Sequence, residues 1–358
     1  MLLVGARASG SPYFENEQAG GPHCRRGALL HISRCLRIAV QWALSVALVA
    51  ALTRAPVRAE PYPIHAVELI VPFAPGGATD VVARLLCEGL SQRLRQPFVP
   101  INRPGGNTNL GTLAAVRSKP DGYTLLMASF GLAANPSVYR KLPFDPIHDL
   151  VPIALVVNTP SLLVINSTLP VRDLAELVAY VKVRPDELNY ASYGIGSSPH
   201  LAAVHFQALT STRIMHVPYG GGGGPATLGV VSNSVQMLFP SVVTVLGMIQ
   251  SGSLRAIGIG SERRLPLLSE VPTFVESGID LKAGTWFGLL APAGTPDPII
   301  AQLAAATQDM LRDPAVQAKF TELGGEVAGL GPADFAKFLK EETARLSIVI
   351  RNANIRVD

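Results

Sequence analysis

Cysteine is scarce in this chain: three in 358 residues. Cys24 and Cys35 fall within the first 59 positions, which leaves Cys87 alone in the remainder. A lone thiol closes no internal bridge, so stability must come from a packed core. Cys87 stands in a helical pattern with Leu85, Leu86 and Leu90, the setting of a buried, inert thiol rather than a nucleophile. A membrane-length apolar run is also missing. Ile38 to Leu52 is almost wholly apolar but spans 15 residues, against roughly 20 for a crossing. No basic stripe with interleaved aromatics follows, which argues against a nucleic-acid partner. Metal-ligand spacing is absent as well: His200 and His205 are five apart, not the four that shares a helical face, and His148 and His216 bring no ligand set. Neither a metal nor a cofactor is expected.

The formal charge of +4 belongs to the first 59 residues, which hold seven Arg against two Glu; the remaining 23 basic and 24 acidic residues net −1. Arg25, Arg26, Arg34 and Arg37 precede the apolar run, and Val57-Arg58-Ala59 places small residues where a signal peptidase reads. Residues 1–59 therefore read as a secretory leader, and the mature chain as a periplasmic protein. The full sequence's hydrophobic content of 48% excludes a disordered chain, and its 358 residues allow two domains.

The most informative stretch is Leu69–Asp80. It reads as a buried strand, a Pro/Gly loop and a Thr/Asp helix start. Such a start presents unpaired backbone N–H groups and the positive end of a macrodipole, so an anion can sit there without Lys or Arg. Strand-like and helical runs alternate from there on. Val67–Phe73, Pro97–Ile101 and Tyr123–Ala128 read as strands. Asp80–Leu94 and Leu110–Ser118 read as helices. The alternation predicts parallel strands with crossover helices, an α/β fold. A second unit starts near Ser161, with strands Leu162–Ile165 and Asn189–Ser192. The latter enters Tyr193-Gly194-Ile195-Gly196-Ser197-Ser198-Pro199-His200, which opens a helix and repeats the first unit's design. Two such loops predict two facing, anion-friendly lips. His200, in a first helical turn, is placed either to hydrogen-bond in the cleft or to cap the helix; His205 reads as packing. Two amphipathic helices, 297–312 and 332–350, close the chain.

Catalytic motifs fit poorly. Met127-Ala128-Ser129-Phe130-Gly131 nearly matches a nucleophile elbow but lacks the first Gly and a marked His/Asp pair. Gly258-Ile259-Gly260 fails the dinucleotide fingerprint at its third Gly, and Gly220–Gly224 has no Gly-Lys-Ser/Thr continuation.

The residues Val71–Asp80 resemble the signature of the Bug receptors, the extracytoplasmic solute-binding proteins of tripartite tricarboxylate transporters. The similarity continues through Asn102-Arg103-Pro104-Gly105, Pro120–Leu126, Asn189-Tyr190 with Gly194, Gly196 and His200, and His216–Tyr219. Gly252–Ala256, Val271-Pro272-Thr273, Trp286–Leu289 and Ala291–Pro296 extend it over nearly all of residues 61–350. The resemblance implies a two-lobed, clam-shell periplasmic-binding-protein fold with crossover strands between the lobes. The expected boundaries are 60–161 plus 285–358 for lobe 1 and 162–284 for lobe 2. It implies capture of a small organic carboxylate between two loops. Expected contacts are Phe73, Ala74, Gly76, Gly77, Thr79 and Asp80 from the first lobe. Gly194, Gly196, Ser197, Ser198 and His200 come from the second, with Ser129 and Tyr219 beside them. The expected partners are membrane permease subunits or a sensor protein, served by a monomer that is not an enzyme. The alternative is a secreted hydrolase using Ser129. Gly220-Gly221 after Tyr219, where the family commonly has Lys-Gly, removes a cation near the second lobe's edge.

Overall fold

A computed structural model of the chain describes residues 41–42, 61–220 and 222–357. Apart from residues 41–42, the leader reading and its cleavage site fall outside the described residues, as do Cys24 and Cys35. The fold is that of the compact unit Tyr62–Asp358. Among the described residues no helix is long and apolar enough to cross a membrane.

Apolar residues at nearly every position of Val67–Val71 (β1) produce a strand buried on both faces. It lies in a six-stranded sheet with Phe98–Asn102 (β2), Thr124–Ser129 (β3), Leu150–Pro160 (β4), Gly284–Pro292 (β10) and Glu326–Leu330 (β11). The spatial order is β11-β4-β10-β3-β1-β2. A five-stranded sheet holds Leu162–Asn166 (β5), Asn189–Ser192 (β6), Met215–Pro218 (β7), Met237–Leu238 (β8) and Leu254–Ile259 (β9) in the order β7-β6-β8-β5-β9.

Helices cover both faces of each sheet. Ala78–Leu94 (α1) and Asp297–Arg312 (α8) pack one face of the larger sheet, while Phe130–Val138 (α3) and Pro332–Asn352 (α10) pack the other. On the smaller sheet the pairs are Leu174–Val183 (α4) with Ser198–Thr210 (α5), and Gly223–Val231 (α6) with Val242–Gln250 (α7). Asn109–Val116 (α2) and Pro314–Glu322 (α9) complete the set. Cys87 is buried in the first of these cores. Burial pushes its thiol up to about 12, the state of an inert packing group.

The expectation of parallel strands needs correction. β1 pairs in parallel with β2 and β3, and β6 with β7 and β8. β10 runs antiparallel to β3 and β4, β11 to β4, and β5 to β8 and β9. Parallel pairs occur where a crossover helix returns the chain to the same sheet. Antiparallel ones occur where it passes from one sheet to the other. One passage is Ser161, between β4 and β5. Its N–H donates to Ala283 O (2.9 Å) and its carbonyl accepts from Gly260 N–H (2.8 Å). The return runs beside it: Cβ atoms at Gly260 and Gly284 would strike the Ala283 and Thr159 carbonyls, so the two passes lie backbone against backbone.

Candidate ligand-binding site

The loop after β1 is held by its own helix. Gly76 takes φ +83°, and its N–H donates to Asp80 Oδ2 at 3.0 Å. Asp80 also accepts from Arg84 Nε (2.9 Å) and Asn102 Nδ2 (2.9 Å), and Asn102 donates further to Phe73 O (3.0 Å). Burial would push the Asp80 carboxyl up, but the bonds from Arg84, Gly76 and Asn102 outweigh it and hold it below the ordinary carboxylate range.

The loop after β6 repeats the device with other chemistry. Gly196 takes φ +82°, and its N–H donates to His200 Nδ1 at 3.0 Å. An accepting Nδ1 requires a neutral ring. Burial, reinforced by the adjacent His216, brings His200 down to about 3. The two imidazoles stack at 4.2 Å between centroids. His216, brought down to about 4 by burial, meets Ser192 Oγ through Nε2 at 2.6 Å. Ser192 Oγ in turn accepts the Gly194 N–H (3.1 Å).

Between the loops lies an inner cavity of about 30 Å³. Five helices begin on it: α1 at Gly77 and Ala78, α3 at Ser129 and Phe130, α5 at Ser197 and Ser198, α6 at Gly223, and α7 at Ser241. None of the five has a side-chain cap; of the other helices α4 and α9 are capped by Asp173 and Asp313, and α2, α8 and α10 are not. The lining carries no acidic, basic or imidazole side chain; its polar groups are hydroxyls and Asn107, and Phe73, Phe130 and Phe287 form its apolar part. First-turn N–H groups and aligned dipoles thus supply the positive potential. An outer basin of about 300 Å³ adjoins it, lined in part by Phe73, Asn107, Gly194, Tyr219 and Gly222.

Of the residues expected from the sequence, Phe73, Gly77, Thr79, Ser129, Ser197 and Ser198 line the inner cavity. Gly194 and Tyr219 line the outer basin. Gly76, Asp80, Gly196 and His200 line neither; they brace the loops from behind. Ala74 is half-buried and lines neither cavity. Sequence reasoning missed Asn107, Tyr193, Gly223, Ser241, Thr244, Thr285 and Phe287. Ser241 before an apolar run is an N-cap signal, and Val242, Val245, Leu246 and Ile249 follow at helical spacing, but the β-branched run 242–245 pulls the local pattern toward strand. A glycine run suits either flexible or close-approach backbone, and Gly223 is the latter: a Cβ on Gly77 would sit 3.7 Å from its nitrogen. Ser129 stands at the N-cap position of α3 without bonding its backbone, and neither His200 nor His216 bonds to it, their acceptor nitrogens being engaged by Gly196 and Ser192. The constellation that a Ser129 hydrolase needs is not supported. Among the described residues no group of His, Cys, Asp or Glu could hold a metal.

Comparisons agree with this geometry. The model of TctC, the tripartite tricarboxylate transporter family receptor, matches residues 82–355. The chain is 37% identical to Protein BugT of Bordetella pertussis over 306 residues, 85% of this chain and 94% of the relative. Two solved structures are similar to it. One is an R. palustris protein with adipate (32% identity, TM-score 0.81, 83% of this chain and all of the other). The other is MatC from Rhodopseudomonas palustris with bound malate (33%, TM-score 0.76, 81% of this chain and all of the other). With a periplasmic-binding-protein fold, two loop-helix lips and a family match across most of its length, the chain belongs to the tripartite tricarboxylate transporter receptors of the Bug type.

Proposed function

We propose that the protein captures a small organic carboxylate in the inner cavity and presents it to membrane permease subunits or a sensor protein, without catalysis. One observation carries this reading: five uncapped helix N-termini open on a cavity whose lining has no charged side chain. Cationic substrates find no counter-charge there, and an anion finds several donors at once. The bound adipate and malate of the similar structures favour the same class.

Magnitudes support a two-sided grip. One helix terminus contributes about 0.3–1 kcal/mol, whereas a micromolar complex needs about 8 kcal/mol. Several N–H donors from both loops, freed from water on closure, must therefore act together. The lobes of this reading are residues 60–161 with 285–358, and 162–284, served by residues 1–59 as a leader that exports a monomer to the periplasm. Contacts are Phe73, Gly77 and Thr79 from one side, Ser197 and Ser198 from the other, and Ser129 at the base.

The test is a thermal-shift screen of the chain from Glu60 against amino acids, di- and tricarboxylates and aromatic acids. Saturation at 100 times Kd adds about 2.7 kcal/mol of stability, a clear rise in Tm. A flat response on protein whose denatured extract holds no small acid contradicts the reading.

A further inference from the structure

One residue that lines the inner cavity buries a polar atom without a hydrogen-bond partner. The Tyr193 hydroxyl is fully buried and has no hydrogen-bond partner. Thr227 and Trp286 also bury an unpartnered polar atom, but neither lines the cavity. Tyr193 does, on the five-stranded-sheet side. Its oxygen lies against the start of α6, where a Cβ on Gly223 would come within 3.4 Å of it and 3.5 Å of Thr244 Oγ1. Thr244 and the Ser241 backbone lie near enough to interact with the hydroxyl, yet neither meets the geometry of a hydrogen bond to it. Burial pushes the phenol up, so it stays protonated and offers a donor.

A buried donor that the protein leaves unpaired is unfavourable unless a ligand pairs it. The same wall holds the N-termini of α6 and α7, so what fills it should be electron-rich. We propose that Tyr193, with Thr244 beside it, is a specificity-determining contact for an acceptor oxygen at the far end of the ligand. The solute is then a short dicarboxylate or an acid with a distal oxo or hydroxyl group, not a monocarboxylate with an apolar tail. This rests on the carboxylate-receptor reading above.

Calorimetric titration of wild type and Tyr193→Phe with two length-matched pairs, succinate against butyrate and adipate against hexanoate, tests it. Wild type should bind the diacid of at least one pair ten- to a hundredfold tighter than its monoacid. In Tyr193→Phe that diacid should weaken by about ten- to a hundredfold, the range of one hydrogen bond to a charged group, with the monoacid within about twofold. The ligand-free variant should melt at or above wild type, because an unpaired buried hydroxyl has been removed. A lower ligand-free Tm, unchanged diacid affinity, or equal weakening of both acids overturns the assignment. Wild type that binds none of the four acids overturns it too; if it also fails the broader carboxylate screen, the receptor reading falls with it.

Discussion

Asp80 and His200 hold equivalent glycines by opposite electrostatics. Asp80 must be charged and His200 neutral, so both braces weaken in acid by different routes. The Asp80 carboxyl is depressed in the fold. Its contribution is complete above the unfolded value of about 3.9 and disappears as pH falls through the folded value. The two histidines are also depressed, to about 3 and about 4. Below the unfolded value of about 6.5 the denatured chain takes up protons that the fold refuses, so stability falls from there down to about pH 4. Urea titrations at pH 7, 6, 5 and 4 should show that decline. His216→Phe should flatten it by about one proton per molecule; an unchanged slope contradicts the buried neutral imidazole. Asp80→Ala removes an acceptor shared by Gly76, Arg84 and Asn102. It should lower stability by about 1.5–3 kcal/mol, read from the same denaturation curves at pH 7.

At the scale of elements, the two loop-helix units differ in what stands behind the glycine. Both glycines have left-handed φ, where a side chain costs about 1–2 kcal/mol. A Cβ on Gly76 meets nothing within 4 Å, whereas one on Gly196 strikes Val138 at the end of α3. Gly76→Ala should therefore lose only the strain energy, and Gly196→Ala about 1–3 kcal/mol more from overpacking. Part of that excess should return in Gly196→Ala/Val138→Ala, as urea midpoints will tell. These units were the legible part of the sequence, because Gly-rich loops between a short apolar strand and a helical run announce themselves locally. β6 runs over the residues expected, and α1 starts two residues before Asp80. β4 was not legible: Pro152 within it weakens a strand pattern, and its partners β10 and β11 lie far along the chain. α3 hides behind Pro136 and α7 behind a Val-rich run. Ser241, Thr244, Thr285 and Phe287 come to the cavity from these distant elements. No local pattern brings them together; the crossing of β4 and β10 between the sheets does.

At the scale of the whole molecule, the two sheets meet across glycine. Gly77 faces Gly223, Gly222 leaves room for Phe73, and Gly194 faces Asn107. Across this seam Asn107 Nδ2 donates to Ile195 O at 3.1 Å and, on its own side, to Asn135 Oδ1 at 2.9 Å. Asn107 and Thr108 both have positive φ. Asn135 holds that unfavourable pair by donating to Asn107 O (2.7 Å) and Asn109 Oδ1 (2.6 Å). A strained turn kept in place by a buried amide, with one arm crossing the cleft, is expected to act as a closure latch. If ligand binds the closed form, apparent affinity scales with the fraction of molecules already closed. Asn107→Ala removes one exposed cross-cleft hydrogen bond, worth about 0.5–1.5 kcal/mol. Kd should then rise by roughly two- to tenfold, mostly through faster dissociation. Small-angle scattering should report a larger ligand-free radius of gyration for Asn107→Ala than for wild type. The two should converge at saturating ligand, because ligand contacts then hold the lobes without the latch. Identical scattering and identical Kd would mean that Asn107 orders its own turn and nothing across the cleft.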